Sequence, residues 1–161
     1  MADTLSLLGT LVGARLKERG LVLACAESCT GGWVAQTVTA VAGSSAWFDR
    51  GFVTYSNEAK QDMLGVPAQT LAQYGAVSEE TARAMAMGAL THSLAQVALS
   101  ITGIAGPTGG TPEKPVGLVC FGWAKGDTAR TESLRFDGDR EAVRRQAVIH
   151  ALQGLLALIE A

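Results

Sequence analysis

Apolar residues recur at Leu5, Leu8, Leu11, Val12 and Leu16, close to helical spacing, and predict a helix over residues 4–19. Asp3 can cap its start and Gly20 can end it. LVLACAE (21–27) is a short apolar run, the mark of a strand buried on both faces. Thr30, Gly31 and Gly32 then open a helix running to about Val41. WFDRGFVTYS (47–56) is aromatic and β-branched and reads as a strand. Asn57 is set to cap a short helix over NEAKQDML, and Pro67 suits the first turn of another ending near Tyr74. SEETARAMAMGALTHSLA (78–95) begins with a capping pattern and carries a small-residue helix. VALSIT (97–102) is again an apolar strand. GIAGPTGGTPEKP (103–115) holds four glycines and three prolines, which is long for a connector, and such loops usually serve function. VGLVCFGWA (116–124) turns at Lys125-Gly126-Asp127 and returns as ARTESLRF (129–136), a hairpin. Residues 139–160 form a last helix with Ala142, Val143, Ile149, Leu152, Leu155, Leu156 and Ile159 in its apolar stripe.

The order α-β-α-β-α-α-α-β-loop-β-β-α, without repeat or linker, predicts one α/β domain over residues 1–161. Its expected form is a three-layer α/β/α sandwich with a mixed, mostly parallel sheet of about five strands. Ligands of such open sheets sit beyond the carboxyl ends of the strands. Four polar clusters fall near such ends: Glu27-Ser28, Thr54-Tyr55, Thr102-Gly103 and Asp137–Arg140.

Composition narrows the function classes. A length of 161 residues fits one compact domain and leaves no room for a second catalytic one. Thirteen basic against fifteen acidic residues give a net charge of -2, and only 17% of residues are charged. A nucleic-acid surface needs clustered positive charge, so no nucleic-acid partner is expected. The hydrophobic fraction of 48% supports a core and excludes disorder. Three cysteines without CxxC spacing, and two histidines, argue against a disulfide framework and a metal centre. The start of the chain lacks signal-peptide features and no apolar run approaches a membrane span, so a cytoplasmic protein with no membrane partner is expected.

AESCTGG (26–32) is the first candidate for chemistry: a strand ends, a serine follows, and two glycines open a helix. Backbone N–H groups at such a helix start can hold an oxyanion or phosphate, and Ser28 there can be a nucleophile. The plainer alternative is a helix cap, with Thr30 capping and the glycines allowing close packing. A dinucleotide fingerprint is absent. His92 and His150 both read as structural, so a serine would need another base, and Ser-Lys enzymes use a neutral lysine. Of Lys17, Lys60, Lys114 and Lys125, Lys60 stands out, in the first turn of a short helix where the dipole disfavours its charge. A surface contact with its helix neighbours is its alternative. Tyr55 could hydrogen-bond Ser28 or Lys60, or simply end a strand with a wet hydroxyl. Thr102 could face the crevice or cap the loop. Cys29 adjoins the same helix start, and Glu27, Lys60 and Cys29 are also the residue types of a nitrilase-like Cys amidase. Ser28 and Cys29 point in different directions, so only one can face the crevice. Arg140 and Arg144 share a helix face at GDREAVRRQA (138–147), with Arg145 beside them, and suit a phosphate or, equally, ion pairs with Asp137, Asp139 and Glu141.

AESCTGG (26–32), GSSAWFDRGFVTYSNEAK (43–60), YGAVSEETA (74–82), SITGIAGPTGG (100–110), KPVGLVCF (114–121) and GDREAVRRQA (138–147) strongly resemble the CinA C-terminal domain family, in order and over nearly the whole chain. The chain is similar to the family's stand-alone form rather than the longer proteins with an extra N-terminal domain. The resemblance implies hydrolysis of nicotinamide mononucleotide to nicotinate mononucleotide and ammonia, in pyridine nucleotide recycling. It implies a Ser-Lys amidase in which the motif serine and lysine fall on Ser28 and Lys60 and the tyrosine on Tyr55. The hydroxyl before GIAG falls on Thr102, beside Gly103, and the arginine of GDR on Arg140. Backbone groups around Thr30, Gly31 and Gly32 are expected to hold the oxyanion, and Arg140 with Arg144 the phosphate. No metal or cofactor is expected, and family members tend to form homo-oligomers. A Cys29-based amidase and a non-catalytic nucleotide-binding or regulatory module are the alternatives.

Overall fold

Asp3 accepts a hydrogen bond from the Ser6 amide and starts α1 (Thr4–Arg19) in the computed structural model, which describes residues 3–161. Gly20, at φ 65°, ends that helix in the left-handed conformation that suits glycine. Strand β1 (Leu23–Glu27) follows, wholly buried as a central strand must be. After it come α2 (Trp33–Thr39), a 3₁₀ turn at Ser44–Ala46 that the hydrophobic pattern does not predict, and β2 (Phe48–Val53). Three helices, α3 (Asn57–Leu64), α4 (Ala68–Tyr74) and α5 (Glu79–Thr91), lead to β3 (Val97–Gly103). Strands β4 (Leu118–Lys125) and β5 (Thr128–Arg135) form the hairpin, and α6 (Arg140–Glu160) closes the chain.

The sheet order is β2-β1-β3-β4-β5. β2, β1 and β3 are parallel, and β4 runs antiparallel to both β3 and β5. Four of the five strands therefore share one direction, as the expected mixed, mostly parallel sheet requires. One core cluster lies between the sheet and α1, α2 and α6, built on Leu16, Val38, Leu99, Phe121 and Leu155. A second, of smaller side chains such as Ala24, Ala26 and Ala98, lies under α3, α4 and α5. Small residues let α5 sit close to the sheet. The Ser100 hydroxyl reaches the Ala82 carbonyl at 2.6 Å, and a Cβ at Gly122 would press on that same carbonyl. On the opposite face the Trp123 indole donates to the Ala151 carbonyl at 2.9 Å, with Gly154 leaving room for its ring.

Two helix boundaries differ from the pattern reading. Ser56, not Asn57, caps α3: its extended backbone (φ -92°, ψ 163°) lets Oγ accept the Ala59 amide at 3.0 Å, and Asn57 is already helical. Helix α5 stops at Thr91, and Ser93 to Ala95 make the turn into β3. Because β1, β2 and β3 are parallel, their carboxyl ends at Glu27, Val53 and Gly103 lie along one edge of the sheet. No helix among the described residues is long and apolar enough to cross a membrane.

Candidate functional site

Ser28 follows β1 directly, and its amide continues the ladder by donating to the Ile101 carbonyl at 3.0 Å. Lys60 comes from α3, across the same strand edge, with 1% of its surface exposed. Its Nζ lies 3.0 Å from Ser28 Oγ, 2.7 Å from the Thr54 carbonyl and 3.4 Å from the Tyr55 carbonyl. The Thr54 amide in turn donates to the Glu27 carbonyl at 2.8 Å, which ties the β2–α3 link to the end of β1. No carboxylate of the described residues stands within ion-pair distance of Lys60. Burial lowers its pKa from the usual lysine value, with Cys29 acting in the opposite direction.

That geometry has a direct chemical meaning. A neutral amine has two hydrogens and one lone pair. Two main-chain carbonyls take the hydrogens, and the lone pair is then left for the Ser28 hydroxyl. Once protonated, the ammonium has a donor for each of the three oxygens.

Cys29 borders the same cavity but makes no side-chain hydrogen bond to Lys60. Its side chain belongs to the apolar core, and burial raises its thiol pKa to about 12, against the smaller pull of Arg144. A thiol held so high is a poor nucleophile at neutral pH. Of the two neighbours, Ser28 is the one whose side chain meets Lys60.

The glycine turn departs from expectation. Gly31 and Gly32 have φ values of 60° and 104°, a conformation that favours glycine, but their amides are already taken by acceptors of the protein itself. The Gly31 amide donates to the Ser28 carbonyl at 3.1 Å and the Gly32 amide to Glu27 Oε1 at 3.2 Å. Glu27 is fully buried, and its carboxylate also accepts from Thr30 Oγ1, Val34 N and Ala35 N. The protein's own carboxylate thus occupies the start of α2 and leaves no room there for a substrate oxyanion. The Thr30 hydroxyl is spent in the same way. Only the Cys29 and Thr30 amides of this turn lack a protein acceptor among the described residues.

The arginines separate. Arg144 Nε donates to the Cys29 carbonyl at 3.0 Å and Nη2 to the Thr30 carbonyl at 3.3 Å, with its guanidinium 5.5 Å from the Trp33 ring centroid. It braces the serine turn from α6 and does not line the crevice, which differs from the expected place beside Arg140. Arg140 stays at the crevice: Nη1 donates to the Gly106 carbonyl at 2.8 Å and Nη2 to Tyr55 Oη at 3.4 Å. The α6 start is capped by Asp139, which accepts the Ala142 amide at 2.9 Å. Tyr55 is 66% exposed and its phenol meets Arg140, not Ser28 or Lys60; it touches Lys60 only through its main-chain carbonyl. Thr102 lines the crevice but spends its hydroxyl on the Ala76 carbonyl at 2.7 Å, tying β3 to the α4–α5 link.

A half-open cavity of about 250 Å³ is lined by Ser28, Cys29, Lys60, Tyr55, Thr102 and Arg140, among others. His92 and His150 do not line it: His92 bonds the Gly88 carbonyl, and His150 pairs with Glu132 beside Phe121 and Trp123. No group of three His, Cys, Asp or Glu side chains among the described residues is placed to hold a metal ion. Sequence reasoning named Glu27 and Thr54 as polar strand ends but missed their parts here, the Glu27 carboxylate closing the start of α2 and the Thr54 carbonyl holding Lys60. A signal for Glu27 was present, since an acidic residue ends an otherwise apolar strand and must find donors. A main-chain carbonyl leaves no such trace.

Known proteins resemble this chain over nearly its whole length. The CinA C-terminal domain family matches residues 6–159. The chain is 60% identical over 148 residues to the nicotinamide-nucleotide amidohydrolase PncC of Escherichia coli (strain K12), covering 89% of this chain and 88% of that protein. It is 51% identical over 156 residues to the protein of the same name from Pseudomonas putida, covering 97% of this chain and 98% of the relative. The crystal structure of the competence/damage inducible protein CihA from Agrobacterium tumefaciens superposes with a TM-score of 0.94 at 46% identity, covering 98% of this chain and 97% of that one. On the matched residues, the identities and the shared fold, this chain belongs to the CinA C-terminal domain family.

Proposed function

We propose that this chain hydrolyses the carboxamide of nicotinamide mononucleotide to nicotinate mononucleotide and ammonia through Ser28 and Lys60. The observation that carries the reading is the placement of Lys60 Nζ, buried, between Ser28 Oγ and two main-chain carbonyls. The names of the PncC relatives supply the substrate class.

In this mechanism neutral Lys60 takes the Ser28 proton as Oγ attacks the carboxamide carbon. The oxyanion goes to the Cys29 amide, next to the nucleophile, with the Thr30 amide beside it. Each such donor is worth about 2.7–4 kcal/mol in acyl transfer. The Lys60 ammonium then gives its proton to the departing nitrogen, and ammonia leaves. A water attacks the acyl-Ser28, again losing a proton to Lys60, Ser28 Oγ recovers that proton as it leaves, and the carboxylic acid formed gives its remaining proton to solvent. The cavity of about 250 Å³ lies just below the usual ~300–1,000 Å³ of small-molecule sites. It suits the pyridinium ring and its amide, with the ribose phosphate reaching the rim at Arg140 and Tyr55. Such an enzyme would serve the recycling of pyridine nucleotides.

An ammonia-release assay on nicotinamide mononucleotide, run beside Ser28→Ala, tests the proposal. Wild-type release with none from Ser28→Ala is expected. Tight nucleotide binding without ammonia would mean a binding module instead.

A further inference from the structure

Glu27 is a fully buried carboxylate with no cationic side chain among its hydrogen-bond partners. Burying such a charge is costly unless donors surround it. Here Oε1 accepts from Thr30 Oγ1 at 2.7 Å, Val34 N at 2.9 Å and Gly32 N at 3.2 Å. Oε2 accepts from Ala35 N at 3.1 Å and lies 3.7 Å from Cys25 Sγ. The carboxylate therefore grips both sides of the turn that begins at Ser28 and ends in α2. Its own main-chain carbonyl accepts the Thr54 amide at 2.8 Å, and the Thr54 carbonyl holds Lys60 Nζ at 2.7 Å. One residue thus connects to the turn after the nucleophile through its side chain and to the base through its backbone.

We infer that Glu27 is the positioning residue of the Ser28–Lys60 pair, and that it also decides which amides are left for the oxyanion. By taking the Gly32, Val34 and Ala35 amides it removes the start of α2 as an anion site. The Cys29 and Thr30 amides, beside Ser28, remain. This rests on the reading of Ser28 as nucleophile. A displacement of about 1 Å in such a site can cost on the order of 100-fold in rate.

The test compares wild type, Glu27→Gln and Thr30→Val. Glu27→Gln keeps the size but sets an NH2 against N–H donors. Thr30→Val removes one donor and keeps the shape. Each is followed by labelling of Ser28 with a fluorophosphonate, in which an Oγ–P bond forms, fluoride leaves and Lys60 takes the serine proton. Intact mass and peptide mapping read the rate. Ammonia release from nicotinamide mononucleotide is read in parallel, and folding by circular dichroism and melting. Glu27→Gln is expected to label roughly 10- to 100-fold more slowly and to lose kcat by a similar factor, with KM within a few-fold. Thr30→Val should show a smaller loss in both. A folded Glu27→Gln protein with wild-type labelling and kcat would overturn the inference. If Glu27→Gln does not fold, an unaltered labelling rate in Thr30→Val overturns it instead. Wild-type labelling without ammonia release would sink the amidase proposal alone, and an unlabelled wild type would sink both.

Discussion

At the scale of single residues, the division of labour between Ser28 and Cys29 follows from direction. Ser28 Oγ meets Lys60, while the Cys29 thiol is buried in the core with its pKa raised to about 12. Ser28→Ala is therefore expected to abolish deamidation, and Cys29→Ala to keep most of it while lowering the melting temperature slightly. Steady-state ammonia release on both variants checks this. Lys60 offers a second test. Its folded pKa lies below the unfolded value near 10.5 because burial disfavours the ammonium. Below the folded value both states are protonated and the penalty of burying the charge is fully present. Between the two values the unfolded chain binds more protons, so stability rises with pH, and above about 10.5 the penalty is gone. Wild type should gain stability relative to Lys60→Met between pH 7 and 10 in denaturant melts; a flat difference would mean an unshifted lysine. The same deprotonation should give kcat/KM an acid-side limb, and Lys60→Arg should be inactive because a guanidinium does not act as a base.

At the scale of elements, α3 carries the proposed base, Lys60, and is only eight residues long, so its ends matter. Short helices depend on caps and packing more than on propensity. Ser56 supplies the cap at its start, and Gly65 at φ 69° ends it, while Gly88 of α5 allows the close approach of the Leu64 carbonyl. Ser56→Ala is expected to cost about 0.5–2 kcal/mol, the usual range for a lost cap. Asn57→Ala should cost far less, because Asn57 is inside the helix and exposed. Thermal melts of the two variants, measured side by side, separate them. Were Asn57→Ala the damaging change, the cap would lie one residue later. Helix α2 is capped differently, by a carboxylate from the preceding strand, which makes its start part of the core rather than of the ligand site.

At the scale of the whole molecule, the crevice exists because separated segments converge on one sheet edge. The serine turn follows β1, the lysine comes with α3, and Arg140 arrives from the start of α6. Arg140 holds the 103–117 loop through the Gly106 carbonyl, and Lys114 anchors the same loop to the Tyr74 carbonyl at 2.5 Å. If Arg140 binds the substrate phosphate, its loss should fall on the nucleotide and spare the riboside. A hydrogen bond to a charged group contributes about 1.5–3 kcal/mol, roughly 10- to 150-fold in kcat/KM. Arg140→Ala should lose that much on nicotinamide mononucleotide and much less on nicotinamide riboside. Arg144→Ala should lose similarly on both, since Arg144 braces the Cys29 and Thr30 carbonyls. kcat/KM of both variants on both substrates gives the comparison. Equal losses in Arg140→Ala would remove Arg140 from the phosphate.

By itself the sequence determined what depends on short-range pattern. Strands β1 and β3 stand out as apolar runs because central parallel strands are buried on both faces, and α1 is legible from its period and caps. The motifs around Ser28, Lys60 and Arg140 were legible as residue types at strand and helix ends. Tertiary structure alone decided how those types are used. AESCTGG carries two nucleophiles and a run of amides, but which side chain meets Lys60 depends on how β1 leaves the sheet. Two arginines four residues apart look equivalent on a helix. Only the position of α6 sends Arg144 to the Cys29 and Thr30 carbonyls and Arg140 to the crevice. The proposed oxyanion donors are Cys29 and Thr30, and not the glycines, for the same reason. A buried carboxylate must take the nearest donors, and which donors are near is a property of the folded chain.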